Sequence, residues 1–119
     1  MVDIRETLAE RARSHGDFEH VAKMSQNLKH MMKSTRAFQD LDFYMAESLE
    51  QMAMKIARIL SGNARELDHW RDIAGYATLA VRQIERDEMD RQMTETLGAA
   101  RNIYNTVDQP ENEDEQQSA

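Results

Sequence analysis

Two acidic pairs in this chain have the spacing to act together on one ligand. Glu47-Ser-Leu-Glu50 sets two carboxylates three residues apart, and Asp68-His-Trp-Arg-Asp72 sets two more four residues apart with His69 between them. On α-helices, residues three and four apart are surface neighbours. Four carboxylates on two packed helices repel each other unless a cation neutralises them, and hard oxygen donors suit Mg²⁺ or Mn²⁺. A cation held this way in a helix bundle commonly receives substrate phosphates. The competing reading is ordinary pairing of these acids with Lys55, Arg58, Arg65 and Arg71, all at helical neighbour spacing.

The elements that would position these groups follow from periodicity. Asp3 and Glu6 predict a capped helix running to about Arg13, which "SHGD" ends, with Gly16 as C-cap and Asp17 opening the next helix. That second helix carries Phe18, Val21, Ser25, Leu28 and Met31 or Met32 on its apolar stripe. "STRAFQDLD" reads as a loop or one irregular turn. A third helix from about Leu41 to Leu60 carries Met45, Leu49, Met52, Ala53, Ile56 and Leu60, and Ser61-Gly62-Asn63 ends it. Beside that stripe, Glu47 and Glu50 border a strip of small residues, Ala46, Ala53 and Ala57, where another helix can approach.

A fourth helix begins near Ala64 with Leu67, Trp70, Ile73 or Ala74, Ala77, Val81 and Ile84 as its expected core face. This assigns Trp70 to the core. Its second face carries Asp68, Asp72, Gly75 or Tyr76, and Leu79. An interior glycine costs a helix about 1 kcal/mol relative to alanine, so Gly75 predicts close approach of a helix or a ligand. Met89, Met93, Leu97, Ala100, Tyr104 and Val107 continue a helical period, either as a fifth helix or as an extension of the fourth.

Composition bounds the rest. With 119 residues there is enough chain for one domain core, and one proline with four glycines points to long helices. No segment alternates apolar and polar residues as a strand does, so the fold class is all-α, a bundle of four to five helices over 1–107. Nine methionines fit a helical core or a helix–helix interface. Without cysteine there is neither a disulfide scaffold nor a thiolate metal site, and a reducing cytosol fits. The charged start is unlike a signal peptide, and no window is apolar enough to span a membrane. Of the net charge of −7, residues 108–119 carry −5 and the body −2. The terminus reads as a disordered acidic tail, and no basic stripe argues for direct nucleic-acid binding.

The segments "GDF" at 16–18, "MAMKIARILSG" at 52–62 and "DHWRDIAGYATLA" at 68–80 resemble a family of small phage and prophage proteins. More distantly, the chain is similar to the all-α MazG-type nucleoside triphosphate pyrophosphohydrolases. Those enzymes bind Mg²⁺ through E-x-x-E on one helix and E-x-x-D on another, usually as dimers or tetramers. Glu47-Ser-Leu-Glu50 matches the first motif, and Asp72 stands where the second motif ends. His69 occupies the position of its glutamate, with Asp68 adjacent.

The resemblance therefore implies Mg²⁺ held by Glu47, Glu50, Asp68 and Asp72, with Glu47 and Glu50 as the catalytic pair. It implies nucleotide contacts from Lys55, Arg58, His69 and Tyr76, and a homo-oligomer in the cytoplasm, the host's if the chain is phage-encoded. Three functions are expected to compete. One is a Mg²⁺-dependent pyrophosphohydrolase. The second is a protein that sequesters a nucleotide or nucleotide-derived signal without cleaving it, which the His69 departure favours. The third is a protein-binding helical oligomer whose acidic tail solubilises it or mimics nucleic acid.

Overall fold

A computed structural model of the chain describes residues 3–107 and is entirely helical apart from its connections. The elements are α1 (Ile4–His15), α2 (Phe18–Lys33), α3 (Arg36–Gln39), α4 (Phe43–Ser61) and α5 (Leu67–Val107). The described residues contain no strand, and none of their helices is long and apolar enough to cross a membrane. The acidic segment 108–119 lies outside the described residues. The chain divides into two compact units between Arg82 and Gln83, so α5 begins in one and ends in the other.

The helix ends stand close to where the turn chemistry puts them. Asp3 caps α1, its carboxylate accepting from the Arg5 N–H at 2.9 Å. Gly16 closes α1 with φ of +83°, a left-handed value that costs a glycine little. Thr35 caps the single turn of α3 by accepting from the Phe38 N–H. Gly62 ends α4. The fourth and fifth predicted helices are one continuous helix of 41 residues, starting at Leu67 and not at Ala64.

The first unit packs mainly through α2 against α4, with α1 lying on both. Its core is small: Val21, Ala53, Ala57 and Ile59 are the buried apolar residues, joined by the fully buried Ser25. The contact face of α4 is thus the small-residue strip, about a quarter turn from the large apolar stripe. Leu49, Ile56 and Leu60 remain exposed, and so do Phe18 and Met31 on α2, Phe18 at 82 %. Met32, not Met31, turns partly inward.

On α5 the departure from the sequence pattern is larger. Of the expected core face, Ile73 is half-buried, whereas Leu67, Trp70, Ala74, Ala77, Val81 and Ile84 are exposed, Trp70 at 53 %. The side that packs carries His69, Asp72, Ile73, Tyr76 and Ala80, roughly 120° around the helix. Trp70 is therefore not core; its indole N–H instead donates to the Ala64 carbonyl at 2.8 Å, stapling the connection before α5. In the second unit, Ile84, Met89, Met93, Leu97, Ile103, Tyr104 and Val107 are all exposed, and Arg91 pairs with Glu88 and Glu95 along the helix.

The glycine expectation is also corrected. A Cβ at Gly75 would meet nothing within 4 Å, whereas one at Gly62 would fall 2.5 Å from the Gly16 nitrogen. The close approach in this fold is Gly16 on Gly62, where α1 ends against the end of α4. Gly62→Ala is expected to cost roughly 3 kcal/mol or more through that clash. Gly75→Ala is expected to add about 0.5–1 kcal/mol through backbone entropy. Chemical denaturation followed by circular dichroism checks both signs, and a Gly62→Ala protein as stable as wild type would contradict the contact.

Candidate functional site

The carboxylates of the two motifs are built onto α4 and the first turns of α5, and each has a partner of its own. Glu50 takes the Lys33 ammonium from α2 at 2.8 Å. Asp72 takes Lys55 from α4 at 2.9 Å, and that hydrogen bond holds its carboxyl below the usual aspartate range. Glu47 accepts from the Gln51 side chain at 2.9 Å, and Asp68 faces Arg71 at the 4.0 Å limit of an ion pair. No three His, Cys, Asp or Glu side chains gather to hold a metal among the described residues. Two of the four acids, Glu50 and Asp72, join helices through lysine. Asp72–Lys55 is the more structural pair, because Lys55 is largely buried and its charge needs that carboxylate.

His69 has a use that sequence spacing did not reveal. It is 1 % exposed, and its Nε2 lies 3.3 Å from the Ser14 carbonyl oxygen near the end of α1. A carbonyl only accepts, so Nε2 carries the proton. The same carbonyl accepts the Asn63 N–H at 3.2 Å from the turn after α4. Two donors from two different elements thereby satisfy one of the carbonyls that a helix C-terminus leaves open. The His69 ring also meets His15 edge-on, with centroids 4.5 Å apart. Burial, then the charges of His69, Arg58 and Arg11, push the His15 pKa below its ordinary value, only partly offset by Glu66. The His15 ring turns Nδ1 to the Ser14 hydroxyl at 2.5 Å.

The proposed nucleotide contacts fall in different places. Lys55 is committed to Asp72. Tyr76 lines a surface depression of about 290 Å³ with Arg71, Asp72, Gly75 and Leu79. Arg58 lies elsewhere, in the wall of a cavity of about 500 Å³ between α1, α2 and α4. Arg11, His15 and Ser25 line that cavity too, and the sequence reading missed them as a group. The only sequence signal was the proximity of "RARSHGD" to a helix break, and nothing in it pointed across to Arg58. Comparison of the chain with protein-family models, with curated proteins and with solved structures finds no match.

His69→Glu would restore the E-x-x-D spacing, yet it sets a carboxylate against the Ser14 carbonyl in a buried position. It is expected to destabilise the first unit by about 3 kcal/mol through acceptor–acceptor conflict and burial of charge. Thermal melting compares it with wild type, and a His69→Glu protein of unchanged stability would sink the structural role of His69.

Proposed function

We propose that this chain is a MazG-like, nucleotide-handling all-α protein that holds a nucleotide or nucleotide-derived molecule without cleaving it. The observation that carries this reading is the commitment of Glu50 to Lys33 and of Asp72 to Lys55. A Mg²⁺ ion bridging Glu47, Glu50 and Asp72 would have to displace two lysines, one of them largely buried. Of the carboxylates that the resemblance assigns to the metal, Glu50 and Asp72 act here as helix ties, while unpaired cationic side chains remain for phosphate. Neither Arg11 nor Arg58 makes an ion pair among the described residues. A guanidinium presents a fork of donors that matches phosphate oxygens.

Titration calorimetry with nucleoside triphosphates, run beside a pyrophosphate-release assay in Mg²⁺, tests the reading. Binding without release is expected for the wild type. Release that disappears in Glu50→Gln would establish hydrolysis instead, and absence of binding would reject the nucleotide reading altogether.

A specific observation also favours self-association, with or without a nucleotide. In the first unit the small side chains face inward and Leu49, Ile56, Leu60, Leu67, Trp70 and Val81 face outward. Large apolar side chains on two helices gain little from solvent, and a second copy of the chain would bury them. Along α5 the outward residues Leu67, Trp70, Ala74, Ala77 and Val81 follow alternating steps of three and four. That is the spacing of a helix–helix seam. Sedimentation velocity is expected to find a dimer or tetramer, and Val81→Glu a smaller species of unchanged helicity; a monomeric wild type would contradict it.

A further inference from the structure

The cavity between α1, α2 and α4 combines three features that a packing gap does not need. The first is charge. Arg11 from α1 and Arg58 from α4 both line it, and neither is neutralised by an ion pair among the described residues. Asp17 is the acid in its wall, so two arginines against one aspartate leave the lining net positive. The second feature is the start of α2, a helix of 16 residues. Asp17 stands at its cap position but makes no side-chain cap hydrogen bond, which leaves the first-turn N–H groups open toward the cavity end of the helix. The third is Ser25. It is fully buried, it lies in the cavity wall, and its hydroxyl has no hydrogen-bond partner. Buried hydroxyls are nearly always partnered, so an orphan beside a cavity marks a place for a ligand atom.

Apart from the Gln26 amide the remaining wall is apolar, with Leu8 from α1, Val21 and Ala22 from α2, and Met54 from α4. A volume of about 500 Å³ lies within the range of small-molecule sites, and an apolar lining with a few convergent polar groups is their usual make-up. We propose that this cavity binds a small molecule with a phosphate-like anion and a flat apolar body. The anion sits between the Arg11 and Arg58 guanidiniums at the start of α2, and the body lies against Leu8, Val21 and Met54, with the unpartnered Ser25 hydroxyl buried in the wall behind it. His15, whose pKa burial and then its cationic neighbours lower, lines the same cavity. The site shares Arg58 alone with the residues that the MazG resemblance picks out. It rests on the nucleotide reading only for the identity of its ligand, since a nucleoside monophosphate is one molecule of this class.

Two probes separate the site from that reading. The first is each of the four ribonucleoside 5′-monophosphates, titrated calorimetrically into the full chain. The second is anilinonaphthalene sulfonate, an anionic flat apolar dye, titrated by fluorescence. Arg11 is exposed on α1, so Arg11→Ala and Arg11→Glu leave the packing intact. Both probes are expected to bind, Arg11→Ala to weaken each about tenfold, and Arg11→Glu to abolish binding. Arg11→Lys should recover part of the loss. Dye binding that depends on Arg11, with no nucleotide bound, keeps the site and removes the nucleotide reading. Nucleotide binding kept in both Arg11 variants removes the site and leaves a nucleotide bound elsewhere on the chain. Probes that bind wild type and Arg11→Glu equally, or bind neither, overturn the proposal.

Discussion

The first unit is organised around one backbone carbonyl. Ser14, at the end of α1, offers an oxygen that its own helix cannot use, and Asn63 and His69 both donate to it. That arrangement is possible because Gly16 and Gly62 let the ends of α1 and α4 touch backbone to backbone. Once α1 ends there, the position of α5 follows. His69 must face α1, and Asp72, three residues on and on nearly the same side, meets Lys55 of α4. Two polar contacts thus decide which face of a long helix turns inward.

This constraint explains why the packing runs small inside and large outside. With α5 turned by its polar residues, its Leu67–Trp70–Val81 stripe is carried outward. On α4, close approach of α2 selects Ala53, Ala57 and the Ser25 contact, because small side chains let two backbones come near. Leu49, Ile56 and Leu60 of α4 are displaced to the flank while Ile59 stays buried, so the single chain keeps a thin core. The apolar area it leaves in water is the physical argument for a partner copy, since small domains with little buried surface are marginal alone.

What the sequence disclosed follows the same division. Helix ends were legible because capping is local chemistry: Asp3, Gly16 and Gly62 act on atoms within a few residues of themselves. The small-residue strip of α4 was legible as an approach surface for the same reason, since Ala46, Ala53 and Ala57 are close in sequence. The inward face of α5 was not. A periodic apolar stripe establishes that one side of a helix is apolar, but not whether this chain or another copy covers it. His69 as a donor to Ser14 spans 55 residues of sequence, and no spacing rule reaches that far. The same distance hid the meeting of Arg11, Ser25 and Arg58 in one cavity, which depends on three helices packing. Of the candidate site, the sequence identified the motif carboxylates with Lys55 and Arg58 but not Arg11; their partners, and hence their roles, came from tertiary structure.

The motif carboxylates show how identical residue types serve different ends. In a metal site Glu47, Glu50 and Asp72 would be oxygen donors to one cation. Here lysine nitrogens from α2 and α4 stand in the place of that cation, and two acids bind helices together. The central claim is that these acids keep their lysines when a nucleotide binds. A crystal structure grown with Mg²⁺ and a non-hydrolysable nucleoside triphosphate tests it most directly. The account predicts Glu50 still on Lys33, Asp72 still on Lys55 and no cation between them. A Mg²⁺ ion ligated jointly by Glu47, Glu50 and Asp72 would contradict it.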